Sequence, residues 1–394
     1  MKVSVFTGTR AEYGLLRPVI KKLDDDAGVE LSIIVSGSHL SARHGMTVRE
    51  IETDGFACLE KVELALEDDS PSGVCKSAGL ALEATGAILD RMRPDMLVLL
   101  GDRYEAMACA VAATLVNIPV GHIHGGEVTE GAVDDFFRHS ITKMSHLHFT
   151  STEKYRQRVI QLGEMPERVF NVGALGVENA KSIRLLNTDE LARDLNFNFG
   201  NHCLLCTYHP ETLVQKRNDH AAQFFLGLAQ YLHKDPARRI IITGANADSG
   251  GCMIDQLSSE LAAKYPGRVH MQASLGVVRY FSAMRACRAV VGNSSSGIIE
   301  APSFGVPTVN YGDRQKGRVR AECVFQCVAN ASALVATIEK ALSPEGVAVA
   351  NNCSNPYYGV NTSTNIVEAI KAYDSGVQKS FHDLTPLSKE NNLI

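Results

Sequence analysis

Met96-Leu97-Val98-Leu99-Leu100-Gly101-Asp102-Arg103-Tyr104-Glu105 runs five apolar residues into a glycine, an acid and a base, just before a helix-forming stretch from Tyr104 to Val116. A strand without polar alternation is buried on both faces, as in parallel sheets covered by helices. The residues that follow its end fall where such a sheet delivers side chains to a ligand. The unit recurs in both directions. The runs Val3–Phe6, Leu31–Val35, Val120–Ile123, Leu147–Phe149 and Val169–Val172 alternate with helical stretches such as Tyr13–Leu23, Asp134–Lys143 and Thr152–Leu162. A second series, Cys203–Thr207, Arg239–Thr243, Val269–Gln272, Ala289–Val291 and Pro307–Asn310, begins after a polar stretch between Gly173 and Gly200. The pattern predicts an α/β chain of two Rossmann-like, doubly wound domains facing a cleft, residues 1–180 and 181–374, followed by a polar, loosely ordered tail over 375–394. The helix Ser363 to Tyr373 is a candidate to return to the first domain.

The totals agree with this division. The chain has 394 residues, enough for two cores at roughly 100–200 residues each. Its net charge of −5 argues against a polyanion partner, because nucleic-acid affinity rests on clustered cations. No run reaches the roughly 20 apolar residues that cross a bilayer, and no export signal precedes Val3, so an intracellular, cytoplasmic protein is expected. The 10 cysteines fall mostly in apolar segments and read as buried thiols. Cys203 and Cys206 have redox-pair spacing, but three residues apart on a strand they face opposite ways.

The chemistry-bearing residues collect after strand ends. Gly8-Thr9-Arg10-Ala11-Glu12-Tyr13 leaves the first strand, and Arg10 is a candidate to grip a phosphate, the alternative being an ordinary βα turn with an exposed Arg. Val291-Gly292-Asn293-Ser294-Ser295-Ser296-Gly297 enters a helix with hydroxyl and N–H donors suited to a diphosphate, and Glu300 is a candidate for the ribose hydroxyls. The plain alternative is a Ser-capped helix with a solvated Glu. Arg314 follows the next strand, and His209 sits in Tyr208-His209-Pro210. Asn246 lies in a polar loop whose alternative is ordinary turn chemistry. Asp102 is either a cleft carboxylate beside Arg103 or an N-cap for the helix near Tyr104. Asp134 and Arg138, four apart on one helix face, follow Gly121-His122-Ile123-His124-Gly125-Gly126-Glu127. The histidines lack a third fixed ligand, so no metal is assigned. The dinucleotide and phosphate-loop fingerprints are absent, which disfavours nicotinamide and ATP.

Taken together, Gly8–Tyr13, Ser36-Gly37-Ser38-His39-Leu40, Gly101-Asp102-Arg103, Gly125-Gly126-Glu127, Asp134-Asp135 with Arg138-His139, His209-Pro210, Gly292–Gly297 and Gly312-Asp313-Arg314-Gln315 resemble the hydrolysing UDP-N-acetylglucosamine 2-epimerase family of sialic-acid-type biosynthesis. The resemblance runs from about Met1 to Tyr373. The non-hydrolysing branch usually reads Arg-Pro-Glu in the first loop and His-Arg-Arg-Glu at His209. Here Arg10-Ala11-Glu12-Tyr13 and His209-Pro210-Glu211-Thr212 favour hydrolysis.

The resemblance implies a fold of the glycosyltransferase-B type, UDP-sugar in the cleft, and a homodimer or higher homo-oligomer. It implies nucleotide or diphosphate contacts at Arg10, Arg103, His209, Asn246, Ser274, Ser294, Ser295, Glu300 and Arg314, with His39 near the sugar. It assigns catalysis to Asp102 and Asp134 with support from Arg138. Many relatives carry a catalytic Glu where this chain has His124, so His124 or Glu127 is the candidate proton acceptor. The implied reaction is anti elimination of UDP to a 2-acetamidoglucal and hydration to N-acetylmannosamine, without cofactor or metal. The alternatives are the same reaction on UDP-2,4-diacetamido-2,4,6-trideoxyglucose, a glycosyltransferase of the same fold, and a non-catalytic UDP-sugar binding protein.

Overall fold

The computed structural model describes residues 1–42, 45–56, 59–68, 70–130, 132–211, 217–244, 251–374 and 376–384. Seven strands of the first half, β1 (Lys2–Thr7), β2 (Glu30–Ser36), β3 (Leu59–Val62), β4 (Met96–Leu100), β5 (Val120–Ile123), β6 (Leu147–Thr150) and β7 (Val169–Asn171), form one parallel sheet in the order β3-β2-β1-β4-β5-β6-β7. Six of the second half, β8 (His202–Thr207), β9 (Arg238–Thr243), β10 (Val269–Gln272), β11 (Ala289–Gly292), β12 (Thr308–Tyr311) and β13 (Val324–Cys327), form another in the order β10-β9-β8-β11-β12-β13. The fold is therefore α/β, of the glycosyltransferase-B type, with two doubly wound units.

Each sheet reverses its winding once, between β1 and β4 in the first and between β8 and β11 in the second. Such switch points open a crevice at the strand ends, and ligands bind there. The loops after β1, β4, β8 and β11 thus occupy functional positions for topological reasons alone.

Alternation along the strands builds a core on each face. Leu204 and Cys206 enter one apolar cluster of the second unit while Cys203 and Leu205 enter the other, so the two thiols diverge. Two short edge strands escape the sequence reading. Leu59-Glu60-Lys61-Val62 carries two charges and Val324-Phe325-Gln326-Cys327 a glutamine, because an edge strand needs apolar residues on only part of its surface. The thiols are not uniformly buried either: Cys75 is exposed and Cys353 half-buried.

The helix Thr362–Lys371 inserts Ile366, Val367 and Ile370 into the core of the first unit, beside Leu16, Val19 and Ile20 of the helix Arg10–Asp24. The segment 376–384, expected to be loose, instead lies along the first unit, where His382 N–H donates to Gly163 O at 2.9 Å and Lys379 Nζ to Ser145 O at 2.5 Å. Among the described residues no helix is long and apolar enough to cross a membrane.

Candidate active site

The loop after β4 carries the first cluster. Asp102 does not cap the following helix: the N-cap residue is Arg103, without a side-chain capping bond. The Asp102 carboxylate instead takes a hydrogen bond from Arg138 Nη2. Arg138 is 1% exposed, and a buried guanidinium costs several kcal/mol unless its N–H groups are satisfied. They are: Nη1 donates to Glu127 O at 3.0 Å and Asp135 Oδ1 at 2.8 Å, and Nη2 to Thr129 Oγ1 at 2.9 Å. The helix Asp134–Met144 therefore presents a carboxylate and a guanidinium together through Asp135, three residues before Arg138, a partner the sequence reading passed over. Asp134 opens that helix at its first position, half-buried.

His122 and His124 have separate duties. His122 is fully buried, donates from Nε2 to Gly101 O at 2.7 Å, and has Nδ1 3.2 Å from Thr142 Oγ1. Burial pushes its pKa down to about 3, so it is a neutral strut under the β4 loop. His124 lies at φ +67°, a left-handed backbone that costs a non-glycine residue roughly 1–2 kcal/mol and tends to occur at functional sites. Its ring is buried with Nδ1 3.5 Å from Glu127 Oε1, and Nε2 has no hydrogen-bond partner among the described residues. Burial holds its pKa below the imidazole range, against the raising field of Glu127.

Glu127 is a different kind of group. Burial alone would raise its pKa, but Arg318, then His124 and Arg138, and a 2.8 Å hydrogen bond from Ser151 Oγ hold it down at about 2. Its second oxygen takes a hydrogen bond from Arg318 Nη1, contributed by the loop after β12. Glu127 is thus an ionised latch between the two units, facing a neutral His124.

Beneath the loop after β1, Glu12 accepts the Gly8 N–H at 2.8 Å while the Thr9 hydroxyl caps the helix at Glu12 N. Burial raises the Glu12 pKa to about 7, opposed by Arg103 and reinforced by Glu105. Arg103 Nε lies 3.2 Å from Glu105 Oε2, so its charge is shared with buried carboxylates as well as the cleft. His39 is fully buried, with its ring nitrogens 3.0 Å from Thr7 Oγ1 and 2.8 Å from Thr47 Oγ1, and burial lowers its pKa to about 4. Arg10 spans the cleft: Nη1 donates to Ser274 Oγ at 2.9 Å, and Nη2 pairs with Glu50 at 2.7 Å.

On the opposite wall, Asn293 organises the site. Its side chain accepts from His209 N at 2.7 Å and donates to His209 O at 2.8 Å, while its carbonyl accepts from Arg314 Nη1 at 3.2 Å and Gln315 Nε2 at 2.9 Å. His209 and Arg314 are brought together through this residue. Ser294 and Ser295 are half-buried, and Ser294 Oγ accepts from Ser296 N at 3.4 Å. The helix there is one turn, Ser296–Ile299, so the donors are local N–H and hydroxyl groups more than a long dipole. Glu300 is not solvated: it is 6% exposed, and burial raises its pKa to about 7. A side chain at Gly176 would collide with its carboxylate. Asn246 lies outside the described residues.

Two doubly wound units whose strand-end loops set cations and hydroxyls opposite buried carboxylates and imidazoles have the architecture of a nucleotide-sugar enzyme. Residues 21–371 match the family model described as UDP-N-acetylglucosamine 2-epimerase. The chain is 40% identical to the GDP/UDP-N,N'-diacetylbacillosamine 2-epimerase (hydrolyzing) of Campylobacter jejuni, over 84% of this chain and 85% of that one. It is 37% identical to polysialic acid biosynthesis protein P7 of Escherichia coli, over 97% and 96%. Among solved structures, the UDP-GlcNAc 2-epimerase of Neisseria meningitidis bound to UDP-GlcNAc superposes with a TM-score of 0.79 at 18% identity, over 94% of this chain and all of that one, a likeness of fold. The chain belongs to the hydrolysing UDP-N-acetylglucosamine 2-epimerase family.

Proposed function

We propose that this enzyme releases UDP and the free 2-epimer from a UDP-2-acetamido sugar, and that its substrate is UDP-N-acetylglucosamine and its free product N-acetylmannosamine. The observation that carries the chemistry is the neutral, buried His124, whose Nδ1 faces the ionised Glu127 while Nε2 has no partner among the described residues. His124 Nε2 takes the C2 proton as the C1–O bond breaks, and Glu127 stabilises the imidazolium that forms. Glu127 itself is held by Arg318 and Ser151, which makes it the poorer proton acceptor. Arg10, His209, Ser294, Ser295 and Arg314 supply donors for the departing diphosphate, and stabilising charge there lowers the barrier by several kcal/mol. Water then adds oxygen at C1 and a proton at C2 on the opposite face, and the proton held by His124 passes to solvent. Asp102, fixed by Arg138, and Asp134 are the carboxylates for this second step.

The sialic-acid reading draws on the full-length likeness to the polysialic acid protein. A second reading, the diacetamido-trideoxy sugar, draws on the likeness to the diacetylbacillosamine enzymes of Campylobacter jejuni and, at 35% identity, Legionella pneumophila. NMR of the purified protein in deuterated water with each nucleotide sugar decides between them. The first reading expects UDP plus N-acetylmannosamine deuterated at C2 from UDP-N-acetylglucosamine. Turnover confined to the diacetamido substrate selects the second, and UDP-N-acetylmannosamine as product overturns hydrolysis.

A further inference from the structure

The mechanism leaves unused a second polar cluster, on the far end of the helix Asp134–Met144 from the cleft. Glu164, 2% exposed, accepts from Lys143 Nζ at 2.7 Å and from the fully buried His148 Nε2 at 2.9 Å. Lys379 completes the cluster from the C-terminal segment: its ammonium lies 2.6 Å from Glu164 Oε2 and donates to Lys143 O at 2.9 Å and Ser145 O at 2.5 Å. The carbonyls that end a helix have no partner within it, and a cation there also meets the negative end of the helix dipole. Lys379 thus closes the end of the helix whose other end holds Asp134, Asp135 and Arg138.

The chain around Lys379 is laid down as a strap. Tyr373 OH donates to Gly376 O at 2.5 Å, His146 Nε2 to Val377 O at 3.1 Å, and Arg168 Nη1 to Gln378 O at 3.4 Å. Beyond it, the Phe381 ring covers Gly163, where any side chain would strike it, and Lys143 Nζ sits 4.9 Å above that ring. The helix Asp134–Met144 is thus held by the Arg138 and Asp135 contacts toward the cleft and by the Lys379 contacts at its C-terminal end.

We propose that residues 376–384 are a strap whose Lys379 is a positioning residue for catalysis: it fixes the helix Asp134–Met144 and, through it, Asp134 and the Arg138–Asp102 pair. The proposal rests on the hydrolysing-epimerase reading for its effect on turnover, while its effect on the helix is independent of any substrate. A displacement of about 1 Å in a reacting group can cost up to roughly 100-fold in rate.

The test compares full-length Lys379→Met and Lys379→Arg with the parent protein by amide hydrogen exchange and by kinetics. Lys379→Met is expected to speed exchange in residues 134–144 about tenfold or more with β1 and β4 unchanged, and to lower kcat about tenfold or more at unchanged UDP affinity. Lys379→Arg, which keeps charge and donors, is expected to restore both. Faster exchange spread evenly over the first sheet, or kcat retained despite a loosened helix, overturns the proposal. If Lys379→Met does not fold, Lys379→Gln takes its place, with a partial loss expected. Absence of turnover in the parent defeats the functional reading alone, since the exchange result still tests the strap.

Discussion

The two walls of the cleft are built from different materials. Around the ends of β4 and β5 the charged groups are mutually paired and buried or half-buried: Asp102 with Arg138, Asp135 with Arg138, Glu127 with Arg318. Around the ends of β8 and β11 the working groups are amides, hydroxyls, His209 and one arginine, gathered by Asn293. Burial and neighbouring charge shift the proton affinities of His124, Glu127 and Asp135 on this wall. Amide and hydroxyl donors hold an anion without titrating themselves. We propose that proton transfer belongs to the first wall and most diphosphate contacts to the second, with Arg10 reaching across from the first.

Substitutions on the two walls should therefore fail differently. Asp102→Asn keeps the shape of the β4 loop and removes a carboxylate, so kcat should fall by roughly 100- to 10,000-fold while UDP still binds, as titration calorimetry would record. Near-normal turnover would return Asp102 to a structural role. Arg318→Met strips the cation from a buried carboxylate and should destabilise the protein by about 3–5 kcal/mol, visible as a lowered Tm. An unchanged Tm would mean that the latch contributes nothing to holding the units together. Arg314→Ala removes a charged donor from the second wall, worth about 1.5–3 kcal/mol, and should weaken UDP binding as well as lower kcat/KM by roughly 10- to 100-fold. A loss confined to kcat would blur the division.

Acid gives a gentler test. Glu127, Asp135 and Glu164 all belong to the first unit and all have pKa values depressed to about 2. A depressed carboxylate adds stability that is full above its unfolded value near 4–4.5 and is lost as pH falls toward 2. Hydrogen exchange between pH 5 and pH 3 should rise first in the first unit. Earlier loosening of the second unit would contradict the assignment.

How much of this was legible in the sequence follows from the range of each interaction. Unbroken apolar runs such as Met96–Leu100 announce a buried parallel strand because the signal is local. The strand-end loops were legible for the same reason, since parallel topology places whatever follows the strand. The pairings within the site were not. Glu127 and Arg318 are 191 residues apart, and nothing near either one names the other. Asn293 reads as one more polar residue in a turn until its amide is seen bracketing His209. Asp134 and Asp135 differ by one step, and helical spacing favoured the former where the ion pair with Arg138 uses the latter. Composition also misread the segment 376–384: it is polar, but its Lys379 meets a buried carboxylate and two helix-end carbonyls. The proposal of His124 over Glu127 as proton acceptor rests on burial and on Arg318, which only the fold brings near.

The central claim is that proton transfer resides at His124 while the nucleotide is held elsewhere. Measuring UDP affinity and turnover on one preparation of His124→Gln tests it directly. The account predicts a Kd within about twofold of the parent and turnover reduced roughly 100-fold or more. A variant that still epimerises at near-parent rate, or one whose UDP affinity falls in step with its activity, would contradict it.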